Sequence, residues 1–382
     1  MLSFTYTAPF FGIFGLIIAF IIYKWVAGQD NGTDLHDPDT PATPPAFFHS
    51  DDGDGGQSLI DQANPAVFLH TYFNSAPVFM GPAIDLGPFF FGTKAGEAGP
   101  STWFFAGAYF GYGTEYYNGM QPGDRVSFYA PLSHNAGLDT GLFGNNPTYF
   151  GSNRLYRSNL PLPFFFQFAP YNLGPAWTAV SPDITRNDGV DFLSAVATFP
   201  GTVDSKEVVY TGSSEGSIQV SSTVDPSCTP PGPCIATWSA IDDPTALPNR
   251  FVTEIEVDAS DTTGNTAFAT FSGFNANTPG HSGHVFVVTD ALTGPTWTDK
   301  SGDLPDVPVN CIALDPSGTI YVGTDIGVFQ TTNIGDSSPH WDYDNDSFPT
   351  VAVFGLDRNP NTGQIVASTH GRGMFQLVPA GP

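Results

Sequence analysis

Residues 308–332, PVNCIALDPSGTIYVGTDIGVFQTT, and 351–377, VAVFGLDRNPNTGQIVASTHGRGMFQL, carry one frame twice. Val309, Ile312 and Leu314 lead into a turn at Asp315-Pro316. Tyr321-Val322-Gly323-Thr324 follows, and after Asp325 comes Gly327-Val328-Phe329-Gln330-Thr331. Short apolar and β-branched runs separated by Asp, Pro and Gly read as strands joined by tight turns. A fourth strand is expected at Trp341. From Val351 the frame restarts with Val351, Phe354 and Leu356, and runs to Leu377.

The same order recurs upstream. One unit opens at Leu193 and ends at Trp238, and another opens at Val252 and ends at Trp297. The starts at 193, 252, 309 and 351 are 59, 57 and 42 residues apart. Looser copies run from Val126 to Trp177 and from Ser58 to Trp103. A small sheet cannot bury both of its faces alone, but sheets stacked around an axis can. The expected fold is all-β: a β-propeller of about six four-stranded blades over residues 53–382. One N-terminal transmembrane helix (1–28) and a Pro/Asp-rich linker (29–52) are expected to precede it.

GSNRLYRSN (151–159), AWTAVSPDIT (176–185), GTDIGVFQTT (323–332) and STHGRGMFQL (368–377) resemble the BNR/Asp-box propellers, a group with sialidase-like and sortilin-like members. The resemblance covers about 53–377 and implies a secreted propeller. In that family the box, Ser/Thr-x-Asp-x-Gly-x-Thr-Trp, is a turn between outer strands. Its nearest copy here runs from Thr289-Asp290 to Thr296-Trp297 with one residue extra. The same resemblance implies that Gly53-Asp54-Gly55-Gly56 opens an innermost strand. Residues 8–33, including AFIIYKWVAGQDNGT, resemble the first membrane helix of membrane-bound proton-pumping pyrophosphatases. Nothing downstream supplies the further membrane helices of a pump, so a shared leader segment is all this second resemblance implies.

Composition agrees with a turn-rich β protein. There are 42 Gly and 35 Pro, and of the 37 acids 31 are Asp and 6 are Glu. Asp favours turns and Glu favours helices. The net charge of −26 disfavours nucleic acid as a partner, which needs clustered Lys and Arg.

Residues 8–27 are apolar apart from Lys24, long enough to span a bilayer, with Lys24 and Trp25 placed as interfacial anchors. A cleaved signal peptide is the alternative. Pro38, Pro41, Pro44 and Pro45 stiffen the following linker. Residues 46–49 are expected to lie beside 374–377 and supply the last blade with its missing strand. Cys228 and Cys234 bracket a Pro-rich loop and are expected to form a disulfide, while Cys311 reads as a buried thiol. The disulfide points to an exported propeller. Lys24, following the span, votes for the cytoplasm under the positive-inside rule.

The acidic loop Asp342-x-Asp344-x-Asp346 lacks the Gly and Glu of an EF-hand, and calcium there is a weak expectation; no other cofactor is expected. His281-x-x-His284 has no third ligand near it in sequence. The seven Arg do not compose a sialidase site, and no catalytic residue is assigned. Residues just ahead of or early in the inner strands should converge on one face around the axis: Asp54, Arg125, Asp191, Arg250, Asn310 and Thr350. There Arg125 and Arg250 are expected to donate to a ligand, and Asp54 and Asp191 to accept. The function expected is a membrane-tethered extracytoplasmic binding module for a protein or glycan. The alternatives are a glycoside hydrolase of the Asp-box type and a structural surface or filament subunit.

Overall fold

The structure is a computed structural model. It describes residues 24–28, 32–36, 47–51, 55–61, 68–72, 79–80, 82–85, 104–105, 108–111, 114–116 and 118–377, the last apart from 122, 139–145, 159–176, 187–188, 229–233, 344–347 and 360–361.

Five four-stranded antiparallel sheets follow one another along the described chain. The first blade is Gly55–Ile60, Phe68–Tyr72, Pro82–Asp85 and Phe104–Phe105; the second is Leu132–His134, Thr148–Gly151, Leu155–Ser158 and Thr178–Ala179. The third is Leu193–Thr198, Glu207–Ser213, Ile218–Val224 and Ser239–Ala240. Val252–Val257, Ala267–Phe271, Val285–Thr289 and Thr296–Asp299 make the fourth. Val309–Leu314, Ile320–Thr324, Gly327–Thr331 and Asp342–Tyr343 make the fifth. A three-stranded sheet follows: Val353–Arg358, Ile365–Thr369 and Gly373–Leu377. The first strand of each sheet lies against the first strand of the next, which is the arrangement of a propeller.

The expectation of about six four-stranded blades is therefore corrected to five among the described residues. In the sheet after the fifth, Gly373–Leu377 pairs, among the described residues, only with Ile365–Thr369. Residues 46–49 do not lie beside it: Phe47–Asp51 pairs with Gly32–His36, which pairs in turn with Lys24–Gly28. Trp25 and Val26 face Leu35 and Asp34 across that ladder, so the end of the expected anchor finds strand partners. Strands likewise occupy part of the expected linker. Among the described residues no helix is long and apolar enough to cross a membrane. Residues 8–23, and most of the stretch that resembles the pyrophosphatase leader, lie outside them.

Three devices join one blade to the next, and each repeats. Glycines on second strands admit the first residue of the following blade: a side chain at Gly151 would strike Leu193, one at Gly212 would strike Val252, and one at Gly323 would strike Val353. The inner strands bulge just after their first residue, between Leu193 and Ala195, Val252 and Glu254, Val309 and Cys311, and Val353 and Gly355. From the bulges Ser194 Oγ donates to Val252 O (2.7 Å), Thr253 Oγ1 to Val309 O (2.7 Å), and Cys311 Sγ to Val353 O (3.8 Å). The third device is the Trp that marks each outer strand. Trp238 Nε1 donates to Val180 O (3.0 Å), Trp297 to Ile241 O (2.6 Å) and Trp341 to Lys300 O (3.1 Å), each just past the previous blade's outer strand or at its end.

The Asp-rich turns have a common chemistry. In Asp183-Ile-Thr185, Asp225-Pro-Ser227, Asp243-Pro-Thr245, Asp258-Ala-Ser260 and Asp261-Thr-Thr263, the Asp Oδ1 accepts from both the backbone N–H and the hydroxyl two residues on. Cys228 and Cys234 form a disulfide with Cα atoms 6.0 Å apart. The carbonyls of Cys228 and Pro226 accept from the buried Arg157, whose Nε donates to Glu207 at 2.7 Å. Arg157 and Glu207 thus place a fully buried ion pair between the second and third blades.

Gly212→Ala should lower the unfolding free energy by ~1–3 kcal/mol, the usual cost of overpacking, in urea melts. Adding Val252→Ala should recover part of that loss, because it removes the atoms the new methyl strikes. Strict additivity of the two losses would refute the close-packing account.

Candidate functional site

In a four-stranded meander the outer strand ends where the next inner strand begins, so the beginnings of all inner strands share one face. The residues singled out from sequence sit at those beginnings, except that Asp54 lies outside the described residues. Arg125 precedes the second blade, Asp191 the third and Arg250 the fourth. Asn310 is the second residue of the fifth blade's inner strand, and Thr350 precedes Val353. Val126–Tyr129, expected as a strand, instead forms the irregular approach to Leu132.

Their side chains have different tasks. Arg125 Nε donates to Asp191 O at 2.7 Å, and its Nη2 to Asp183 Oδ2 and Thr185 Oγ1, both at 2.9 Å. The structure thus brings Arg125 and Asp191 together, but through the Asp191 carbonyl. The buried Asp191 carboxylate accepts from Phe192 N (2.9 Å), Ser214 Oγ and Arg186 N (3.3 Å), which fixes the connection into the third blade. Arg250 is 7 % exposed and donates through Nη2 to Gly283 O, while its Nε and Nη1 have no protein partner. Asp306 lies near enough to act on its charge. Arg250 holds down the loop of the fourth blade from beneath. Asn310 Nδ2 reaches Asp325 Oδ1 (2.9 Å), and Thr350 Oγ1 stands 3.5 Å from Tyr343 OH, both toward solvent.

Aromatic side chains stand exposed among these residues on the same face. Phe354, in the bulge of the last inner strand, is 58 % exposed, with His370 at 5.9 Å. Phe251 follows Arg250 and meets Phe192, which follows Asp191, edge to face at 6.4 Å. Phe274 is exposed on the loop between the fourth blade's second and third strands, and Phe128 and Tyr129 are exposed ahead of the second blade. The sequence reading chose the polar residues and passed over the aromatic next to them; the signal was the adjacency itself, Asp191-Phe192 and Arg250-Phe251.

Three carboxyls, Glu254, Glu256 and Asp357, lie close enough for their charges to interact, each partly open to solvent yet set among protein atoms. Glu254 and Glu256 alternate on the fourth inner strand and so share a side. Burial, then the charges of Glu256 and Asp357, push Glu254 well above its ordinary value, although its Oε2 accepts from Ile312 N at 2.6 Å. Burial, then Asp357, raises Glu256 to about 7. Asp357 is reached by solvent yet sits deep among protein atoms, and that desolvation raises it too. The sequence signal was present, Glu-x-Glu in VTEIEV with Asp in VFGLDR, but the frame had absorbed both as strand residues.

Among the described residues no group of three or more His, Cys, Asp or Glu could hold an ion. His284 is buried, with Nε2 3.0 Å from Asp306, while His281 lies in a different cavity. Asp342 pairs with His340 Nε2 at 3.2 Å; Asp344 and Asp346, the other weak calcium candidates, lie outside the described residues.

No family model matches the chain, and no curated protein matches it in sequence. Among solved structures it is similar to a GH74 enzyme from Niastella koreensis, with TM-score 0.51 and 15% identity over 94% of this chain and 50% of that one. It is also similar to the extracellular domain of a hybrid two component system from B. thetaiotaomicron, with TM-score 0.47 and 12% identity over 94% of this chain and 38% of that one. The chain thus spans about half the length of the GH74 enzyme or less of these structures. At 15% identity the likeness to the GH74 enzyme is one of fold, and with the sheet topology above the class is a β-propeller.

A carboxyl raised in the fold stabilises it fully below its unfolded value, and that contribution is lost as pH rises through the folded value. For Glu256 the loss falls between 4.5 and about 7. Glu256→Gln should therefore raise the Tm relative to the parent at about pH 8 and leave it nearly unchanged at about pH 5. An equal change at both would contradict the buried-carboxyl account.

Proposed function

We propose that the chain is an extracytoplasmic binding module whose axial face takes a glycan or an exposed peptide loop. The observation that carries this reading is the rim of exposed aromatics, Phe128, Tyr129, Phe251, Phe274 and Phe354, set among polar groups at the starts of the inner strands. An aromatic face packs against a sugar ring or an apolar side chain, and neighbouring polar groups fix its orientation. Arg125, Asn310, Thr350 and, by its place in the repeat, Asp54 are the polar members of that rim. Arg250 and Asp191 support it from below. The disulfide at Cys228–Cys234 supports an oxidising compartment, and residues 8–27 are the segment proposed to tether the propeller to a membrane. The ring is read as one of the Asp-box type, supported by the turn after Thr289 in which Thr293 N and Gly294 N both donate to Asp290 O.

A second reading, glycoside hydrolysis, is favoured by one observation: Glu254, Glu256 and Asp357 lie close enough for their charges to interact, with raised carboxyls, and hydrolysis uses one protonated and one ionised carboxyl.

The purified chain, screened against glycan and peptide arrays with mass spectrometry of the supernatant, separates the two. Saturable binding without product is expected, weakened by about 1 kcal/mol or more in Phe354→Ala and unaffected by Glu256→Gln. A product that disappears with Glu256→Gln would establish the hydrolase. Loss of neither binding nor product in Phe354→Ala would remove the rim from the site.

A further inference from the structure

We propose that a second, off-axis site at the seam between the third and fourth blades binds an uncharged sugar ring. This inference stands apart from the axial reading, because none of its residues belongs to the aromatic rim. A cavity of about 550 Å³ opens there, within the size range of small-ligand sites. Arg186 comes from the connection into the third blade, Asp242 and Asn249 from the connection into the fourth, and Thr278 and His281 from the fourth blade's long loop. Leu247, which is buried in the core beneath, and Pro244 supply the apolar surface.

The electrostatics argue for a neutral ligand. Asp242 Oδ1 accepts from Ser217 Oγ and Ile218 N, both at 3.2 Å, and its Oδ2 lies 3.6 Å from Arg186 Nη2. Arg186 Nη1 in turn donates to Asn249 Oδ1. Carboxylate and guanidinium answer each other, so the cavity carries little net charge. Asp243, whose carboxylate lies near His281, adds a further penalty for an anion.

What remains to face a ligand is mixed. The Asn249 amide nitrogen and Arg186 donate. Thr278 gives its proton to His281 O at 3.1 Å and therefore offers its hydroxyl oxygen as an acceptor. The His281 ring adds two polar nitrogens to the lining. Hydroxyls that both donate and accept, on a ring with an apolar face, match this set better than a carboxylate, a phosphate or an ammonium would.

The walls are held in place before any ligand arrives. Arg250 donates to Gly283 O, Gly283 N to Asn275 Oδ1 (2.9 Å) and Asn275 N to Asp306 Oδ1 (2.8 Å), so the loop carrying Thr278 and His281 is tied down at both ends. Such a site loses little conformational freedom on binding.

The test is saturation-transfer NMR and calorimetry on the full chain with the methyl glycosides of glucose, galactose, mannose and xylose, and with methyl glucuronide as the charged control. At least one neutral glycoside is expected to bind, and more tightly than the glucuronide. Thr278→Val and Asn249→Ala should each weaken it at least fivefold at unchanged Tm, and Phe354→Ala should leave it alone. Binding by no neutral glycoside, tighter binding of the glucuronide, or indifference to both cavity variants would each overturn the proposal. Should Asn249→Ala fail to fold, Thr278→Val, which exchanges a hydroxyl for a methyl of similar shape, decides it alone. Loss of binding in Phe354→Ala with no effect of Thr278→Val would assign the sugar to the axial rim instead.

Discussion

Adjacent inner strands can approach one another in this ring because the strand behind offers a hydrogen atom where others offer a side chain. Leu193 seats against Gly151, Val252 against Gly212, and Val353 against Gly323. At the last two seats a side chain at the bulge of the earlier blade reaches the neighbour's first carbonyl, Ser194 Oγ that of Val252 and Cys311 Sγ that of Val353. Burial and hydrogen bonding are then one event, because the carbonyl that packing would leave dry is the one that receives the bond. The fourth blade has Thr270 opposite Glu254 instead of glycine, and there the Thr270 hydroxyl lies 2.8 Å from that of Thr253, the residue that bonds the next strand. The ring axis, the shared face of strand beginnings and the space around Glu254, Glu256 and Asp357 all depend on this spacing.

Much of the fold was legible because its repeat is written in residues with a single geometric use. Trp238, Trp297 and Trp341 each donate an indole N–H to the preceding blade, so their recurrence in sequence was the recurrence of a contact. Asp-x-Ser/Thr was readable for the same reason: a carboxylate two residues ahead of a hydroxyl closes a turn by itself. Lys24–Gly28 was misread because it closes the apolar run 8–27, and a run that is apolar throughout has no period to tell helix from strand. Its partner, Gly32–His36, is polar and was taken for linker. The count of blades failed for a related reason, since the frame detects first strands and Trp-bearing strands, and the last sheet has only the former among the described residues.

The place of these residues in the repeat was legible, and the partners of their side chains were not. The described residues chosen lie ahead of inner strands or early in them, yet Asp191 and Arg250 hold connections and loops. Which of two adjacent residues faces the axis is decided by the bulge, which shifts the alternation by one, and no local pattern announces a bulge. Phe354 therefore points outward where simple alternation would have buried it. The seam cavity was invisible for a different reason: its walls come from three connections far apart in sequence and meet only once the ring is built.

The Asp turns bear on how the charge of −26 is to be understood. A carboxylate that accepts two bonds from its own turn is already spoken for, and drift away from Asp at such a place would cost the turn. The negative potential around the molecule is in that respect a residue of its masonry. A strongly acidic exterior usually invites a search for a basic counterpart, but these five carboxylates have an architectural origin, and a cationic partner is not needed to account for them.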